Sequence, residues 1–226
     1  KGVAFGKQHN LIDEIASYKE LANQFGASSD PVIGTKIASA LVNQGLAFYD
    51  QGKQDEAIAS FDEVIKWLGR TTAPALQESV ARALVNKGAI LGEQGKVDEE
   101  IASYDDVVKR FDAYKEPAFQ EQVALALFNK SNTLGRQGKS DEAIANYGEL
   151  IKRFDSSTSL NLQTQVAKAL VNKGIALGEQ GKENAAIVNF NQVIYLFKNS
   201  SAPALQEAVF NAQTNKEVAI RVKNSK

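Results

Sequence analysis

Ala83-Leu84-Val85-Asn86-Lys87-Gly88 decides the reading of this chain, because the phrase returns at a fixed distance. The other copies are Ala40-Leu41-Val42-Asn43-Gln44-Gly45, Ala126-Leu127-Phe128-Asn129-Lys130-Ser131 and Ala169-Leu170-Val171-Asn172-Lys173-Gly174, each 43 residues from the last. One further step reaches Asn215-Lys216, and one step back from Gly45 reaches Gly2, preceded by Lys1. A fixed period of this size means one supersecondary unit repeated in tandem.

A second phrase keeps the register. It reads Asp55-Glu56-Ala57-Ile58-Ala59-Ser60-Phe61, then Asp98 to Tyr104 and Asp141 to Tyr147, with looser copies from Asn184 to Phe190 and from Ile12 to Tyr18. Pro31, Pro74, Pro117 and Pro203 share one repeat position, with Leu160 in the fifth place, and Gly52, Gly95, Gly138 and Gly181 share another, each inside Gln-Gly-Lys. No insertion breaks the register. The chain therefore reads as one repeat array over 1–226: a partial repeat at 1–30, full repeats at about 31–73, 74–116, 117–159 and 160–202, and a terminal helix at 203–226.

Each repeat reads as two helices. Between Pro74 and Gln94, Leu76, Val80, Ala83, Leu84, Gly88 and Leu91 recur at three- and four-residue steps, which places them on one helical stripe. Pro74 suits the first turn, where a backbone N–H has no intrahelical partner, and Thr71 and Thr72 are nearby N-cap candidates. Gly95 suits a left-handed stop. The second helix runs from about Asp98 to Phe111, acidic at its start and basic at its end as the helix dipole favours, with Ile101, Tyr104, Val107 and Val108 as its buried stripe. Neither helix buries its apolar face alone; stacked neighbours do. A second helix at about Leu11 to Phe25 and a final first helix at about Pro203 to Val222 complete the expectation.

Composition excludes several kinds of chemistry. The 226 residues carry 26 Lys+Arg against 27 Asp+Glu, a net charge of −1 without the cationic excess that a nucleic-acid surface needs. Cysteine is absent and His9 is the one histidine, so thiolate or zinc-enzyme metal sites and histidine acid–base chemistry have almost no ligands or bases to draw on. No apolar run approaches the ~18–20 residues of a membrane span. Gly135-Arg136-Gln137-Gly138-Lys139-Ser140 lacks phosphate-loop spacing and lies on the turn that every copy repeats, so no cofactor is expected. Asp105-Asp106 and Asp98-Glu99-Glu100 read as solvated or dipole-related carboxylates. With neither a nucleophile–base pair nor a metal cluster, the chain does not read as an enzyme.

The pattern resembles the tetratricopeptide repeat, whose first helix carries Trp-x2-Leu-Gly-x2-Tyr and whose second carries Ala-x3-Phe. Leu84-x2-Lys87-Gly88-x2-Leu91 stands for the former, and Ala57-x3-Phe61, Ala143-x3-Tyr147 and Ala186-x3-Phe190 for the latter. The resemblance implies an all-α solenoid of antiparallel helix pairs in a right-handed superhelix, with one side of the first helices lining a concave groove that binds protein or peptide. Three departures stand out. The period exceeds the usual ~34 residues by about nine, added at the start of the first helix. The proline after the second helix is missing, with Gly69, Asp112, Asp155 and Lys198 in its place; and Lys87, Lys130 and Lys173 stand where leucine is usual.

Asn43, Asn86, Asn129, Asn172 and Asn215 form the most specific polar signal, an expected ladder on the edge away from the Leu/Val stripe. An amide both donates and accepts, so such a ladder can pair with a peptide backbone; it can equally hydrogen-bond between helices and set repeat geometry. The following Lys87, Lys130, Lys173 and Lys216 have their own two readings: stems packed with ammonium groups reaching water or an acid on the next helix, or a clamp for a ligand carboxylate. Positions that vary beside the ladder include Ser39, Arg82, Leu125 and Lys168; Leu46, Ala89, Asn132 and Ile175; and Asp50, Glu93, Arg136 and Glu179. Arg82, Glu93, Asn132, Arg136 and Lys168 join the five asparagines as groove candidates. Phe61, Tyr104, Tyr147 and Phe190 read as core, and Trp67 as a local surface feature or an interface anchor.

The expected function is a protein-interaction scaffold; the alternative is an architectural spacer or self-association module of a larger protein. Because Lys1-Gly2-Val3-Ala4-Phe5 reads as the tail of a first helix, the chain is expected to be a piece of a longer array, with self-association by end-to-end stacking through its N-terminal face. Glu217, in the place of the repeat glycine, and the polar run Arg221-Val222-Lys223-Asn224 suggest a cap at the other end.

Overall fold

The computed structural model describes residues 31–69 and 73–225; the expected helix at Leu11 to Phe25, the N-terminal stacking face, His9, Thr71 and Thr72 lie outside them. Among the described residues there are nine α-helices and no strand: α1 (Pro31–Asp50), α2 (Gln54–Leu68), α3 (Pro74–Glu93), α4 (Val97–Phe111), α5 (Pro117–Arg136), α6 (Ser140–Phe154), α7 (Leu160–Glu179), α8 (Glu183–Phe197) and α9 (Pro203–Asn224). First helices of 20 residues alternate with second helices of 15, and α9 has 22. This is an all-α solenoid of helix pairs. The chain forms two compact units that divide at Val107 and Val108, inside α4. In the first unit α2 packs on α1 and α3, and α1 on α3; in the second, α5 through α9 pack in sequence, with α5 also on α7 and α7 on α9.

Local chemistry explains each boundary. Each of the four 20-residue helices ends in a left-handed glycine, with φ between 73° and 76° at Gly52, Gly95, Gly138 and Gly181. Around Gly95 the turn closes with Gly95 N–H donating to Gly92 O (3.1 Å) and Lys96 N–H to Leu91 O (2.9 Å), the two bonds of a Schellman stop, and the other three turns repeat the pattern. The starts of α3, α5 and α9 place proline in the first turn, and none of the described first helices with a defined N-cap has a side-chain cap. In α3, α7 and α9 a glutamine one turn in ties the helix to the preceding helix end or loop instead. Gln77 Nε2 donates to Leu68 O (3.0 Å), Gln163 Nε2 to Ser157 O (3.1 Å) and Gln206 Nε2 to Ser200 O (2.5 Å).

The core repeats with the same register. On the second helices the deeply buried triads are Phe61, Val64 and Leu68; Tyr104, Val107 and Phe111; Tyr147, Leu150 and Phe154; and Phe190, Val193 and Phe197. Ile101 and Val108, expected in the α4 stripe, are only half-buried: steps of three and four from Tyr104 carry the inner face to Phe111 instead. The expected α3 stripe is buried throughout. Three of the four triads open with a ring seated on a first-helix glycine; in the Tyr147 triad Ser131 takes the glycine's place. A Cβ on Gly88 would stand 2.7 Å from the Tyr104 ring, and Gly45 and Gly174 would meet the Phe61 and Phe190 rings at 2.6 Å.

Two expectations are corrected. Glu100 is not a surface carboxylate: it is 3% exposed, because the register puts it where Ala57, Ala143 and Ala186 are buried. Its carboxyl group fills the space over Gly92, and the Tyr104 hydroxyl donates to its Oε1 at 3.4 Å. Nor is α9 a wholly polar cap. Phe210 is 66% exposed at the position where Ala81, Ala124 and Ala167 are fully buried, and Val218, Ile220 and Val222 are exposed beside the exposed pair Glu217–Arg221.

The ring–glycine contact yields a paired prediction. Gly88→Ala should destabilise by about 1–3 kcal/mol through overpacking. Gly135→Ala, where the new Cβ meets only Ala143 Cβ at 4.0 Å, should be neutral or gain up to about 1 kcal/mol in helix propensity. Urea denaturation of the two variants decides it; equal effects would contradict the packing account.

Candidate binding face of the first helices

Heptad-like steps along each first helix put four candidate rows on one face: on α5 these are Leu125, Asn129, Asn132 and Arg136. The structure divides them into groups held by the protein and groups left available.

In the first unit, Asn43 is exposed and Asn86 and Arg82 are half-buried; none of their side chains makes a hydrogen bond or ion pair among the described residues. Glu93 is engaged. Its Oε1 accepts from the Tyr49 hydroxyl (2.6 Å) and its Oε2 from Gln54 Nε2 (2.9 Å), so it joins α3 to the preceding helix pair. The bond to Glu93 is the main reason the Tyr49 phenol titrates above its ordinary value. Beside it, Gln94 Nε2 donates to Asp55 Oδ1 at 2.9 Å, and Gln180 repeats this on Asp141 in the second unit at 2.9 Å. In these two copies the glutamine of Gln-Gly-Lys is thus a clasp between successive pairs, a role visible in the sequence only as constancy, whereas Gln51 Nε2 donates to Ala47 O (2.9 Å) in its own helix.

In the second unit Asn129 is half-buried and Lys168 exposed, again with side chains that bond to no described residue. Asn132 and Asn172 are held. Asn132 Oδ1 accepts from the Tyr147 hydroxyl (2.5 Å) and from Asn172 Nδ2 (3.0 Å), and Asn172 Nδ2 also lies 3.4 Å from that hydroxyl. Burial pushes the Tyr147 phenol above its ordinary value, and the bond with Asn172 pulls the other way. Asn215 Nδ2 donates to Asn211 O (2.8 Å), one turn back, and Arg136 reaches Thr133 Oγ1 (3.0 Å). The asparagine row is therefore mixed: Asn43, Asn86 and Asn129 keep free amides, whereas Asn172 braces helices.

The lysines differ by copy as well. Lys87 Nζ pairs with Asp62 at 2.6 Å, an acid on the adjacent second helix. Gly148 occupies the position of Asp62 two repeats later, and Lys173 Nζ lies 3.3 Å from where its Cβ would be, with no acid there. The sequence reasoning missed an open cavity of about 400 Å³ in the second unit, walled by the N-terminal halves of α5 and α7 and the start of α9. Leu125 lines it, alone among the groove positions singled out from sequence. Among the described residues no cluster of potential metal ligands occurs and no helix is long and apolar enough to cross a membrane.

The divided row predicts a divided response to mutation. Asn172→Ala should cost about 0.5–1.5 kcal/mol for its lost bonds. Asn86→Ala and Asn129→Ala should stay within about ±0.5 kcal/mol. Thermal melting of the three variants checks this, and a large loss in Asn86→Ala would show that its amide is structural. The Tyr147 phenol adds a pH signature. Its folded pKa lies above the unfolded value of about 10, so its contribution is complete below that pH and is lost as pH rises. Tyr147→Phe should flatten the alkaline limb of a stability–pH curve; an unchanged limb would contradict the burial.

Profiles of the tetratricopeptide repeat match residues 39–66, 125–157 and 167–200. No curated protein matches the chain. The crystal structure of BtubC from P. vanneervenii is similar with a TM-score of 0.63 and 18% identity, over 95% of this chain and 91% of that one. A tetratricopeptide repeat protein from Parabacteroides merdae is similar with a TM-score of 0.55 and 17% identity, over 83% of this chain; the chain spans only 64% of that structure's length. At these identities the likeness is one of fold. Tetratricopeptide repeats generally mediate protein–protein interactions and are generally non-catalytic. The matched repeats, the helix pairs and their ring-on-glycine packing agree: the chain is a tetratricopeptide-repeat protein.

Proposed function

We propose that the chain is a scaffold that holds a peptide or protein segment on the inner face of its first helices. The observation that carries the reading is the set of half-buried side-chain amides at Asn86 and Asn129 that bond to no described residue. A polar group that is partly desolvated and unpaired gains from a partner, and an amide matches the donor and acceptor of a peptide unit without regard to its side chain. Arg82, one turn before Asn86, and Lys168 on α7 of the second unit add positive charge that bonds to no described residue, which suits a segment carrying acidic residues. An architectural role in a larger protein is the second reading; the apolar side chains that α9 leaves exposed favour it.

The test is selection of peptides from a random displayed library against the whole chain. Selected peptides should bind Asn86→Ala or Asn129→Ala roughly two- to tenfold more weakly, the cost of about one hydrogen bond. Affinities unchanged in both variants would overturn the proposed face. Binders that compete with solvent at Phe210 instead would favour the architectural reading.

A further inference from the structure

The cavity of the second unit lies where this repeat departs from the usual one. Its lining includes Glu121, Gln122 and Leu125 of α5, Leu160, Thr164 and Gln165 of α7, and Ala204 of α9. All of these fall in the first turns of their helices, the segment by which this repeat exceeds the usual ~34 residues. The lengthening thus adds a wall of groove that a shorter first helix would not have.

Its chemistry is specific. Leu160 is 52% exposed and stands beside Leu125, so the cavity holds apolar surface that nothing in the protein covers. The oxygens of Glu121 are already engaged, accepting from Ser159 Oγ (3.0 Å) and Asn161 Nδ2 (2.9 Å). The side-chain amides of Gln122 and Gln165, one repeat apart, bond to no described residue, and Gln165 Oε1 is shut off from water without a partner. Apolar walls and two idle amides, beside a carboxylate whose oxygens are already taken by two donors, complement a neutral ligand with both a donor and an acceptor. In α3 Ser79 stands at the glutamine position and Arg82 at that of Leu125, so the arrangement belongs to the second unit.

We infer that this cavity is an anchor pocket for one aliphatic side chain of a bound segment, with the adjoining peptide unit held by Gln122 and Gln165. The inference rests on the scaffold reading and names the feature that the second unit selects. A volume of about 400 Å³ accommodates such a side chain with its peptide unit. Each amide pivots to offer its nitrogen or its oxygen, which lets the pair satisfy a peptide N–H and C=O together.

The test uses N-acetyl-leucinamide, a neutral aliphatic residue with a peptide unit on each side, titrated into the ¹⁵N-labelled whole chain. Saturable shifts are expected at the Gln122 and Gln165 side-chain amides and around Leu125 and Thr164. N-acetyl-glycinamide should bind about tenfold more weakly for want of a side chain to bury, and the corresponding aspartate derivative should be no better. Leu125→Asp and Ala204→Trp, one charging the wall and the other filling the space, should each abolish the shifts while the remaining spectrum stays dispersed. If Leu125→Asp loses dispersion, Ala204→Trp alone decides. Equal responses to all three probes, or shifts that survive Ala204→Trp, would overturn the pocket. Because the probe needs no selected peptide, a negative result removes the anchor and leaves the scaffold reading to the library selection; a failed selection with a positive titration does the reverse.

Discussion

An aromatic ring lying on a helix backbone is the constraint on which the rest of this structure depends. Phe61, Tyr104 and Phe190 come so close to Gly45, Gly88 and Gly174 that a single Cβ would overlap the ring. That closeness sets the separation of first and second helix, and the buried triads follow from it at steps of three and four. Copy three departs from the rule. Ser131 replaces the glycine, fully buried with its hydroxyl donating to Leu127 O (2.6 Å), and the ring in question, Tyr147, uses its own hydroxyl to hold Asn132. Phe128 stands where the other copies have valine, with its ring 6.1 Å from Tyr147. A change at one glycine position is thus accompanied by a hydrogen-bonded link that carries on to Asn172 in the next pair.

Much of the fold was legible because its signals repeat. Proline at the start and glycine at the end of a first helix act through backbone geometry alone, so they read the same in a sequence as in a structure. The ring positions were legible as core for the same reason. What the sequence concealed was the identity of partners. Glu100 looks like one more acid in a charged first turn; only its place in the register marks it as the occupant of a buried alanine site. Gln94 and Gln180 are constant, but constancy does not say that they clasp Asp55 and Asp141 across the stack.

The candidate face was legible as a row and not as a set of roles. Five asparagines share one register position, yet Asn172 is bonded across helices because Asn132 and Tyr147 stand opposite it, whereas the place of Asn132 in the helix before Asn86 is held by Leu46, which offers no hydrogen bond. Whether an amide is idle depends on residues 15–40 positions away, which no single-helix pattern contains. Glu93 illustrates the same point: its helical position suits a groove, and its two oxygens are taken by Tyr49 and Gln54. The cavity beside Leu125 was hidden for a different reason. It arises from the relative placement of three helix starts, and its lining is polar and apolar in turn, so neither periodicity nor composition marks it.

The central claim is that the inner face of the first helices, with its idle amides, is the surface that meets a partner. A crystal structure of the chain with a library-selected peptide tests it most directly. The account predicts peptide main chain within hydrogen-bonding distance of the Asn86 or the Asn129 side-chain amide. A peptide seated instead on the outer face of the second helices, against residues such as Val188 and Tyr195, with both amides still unpaired, would contradict it.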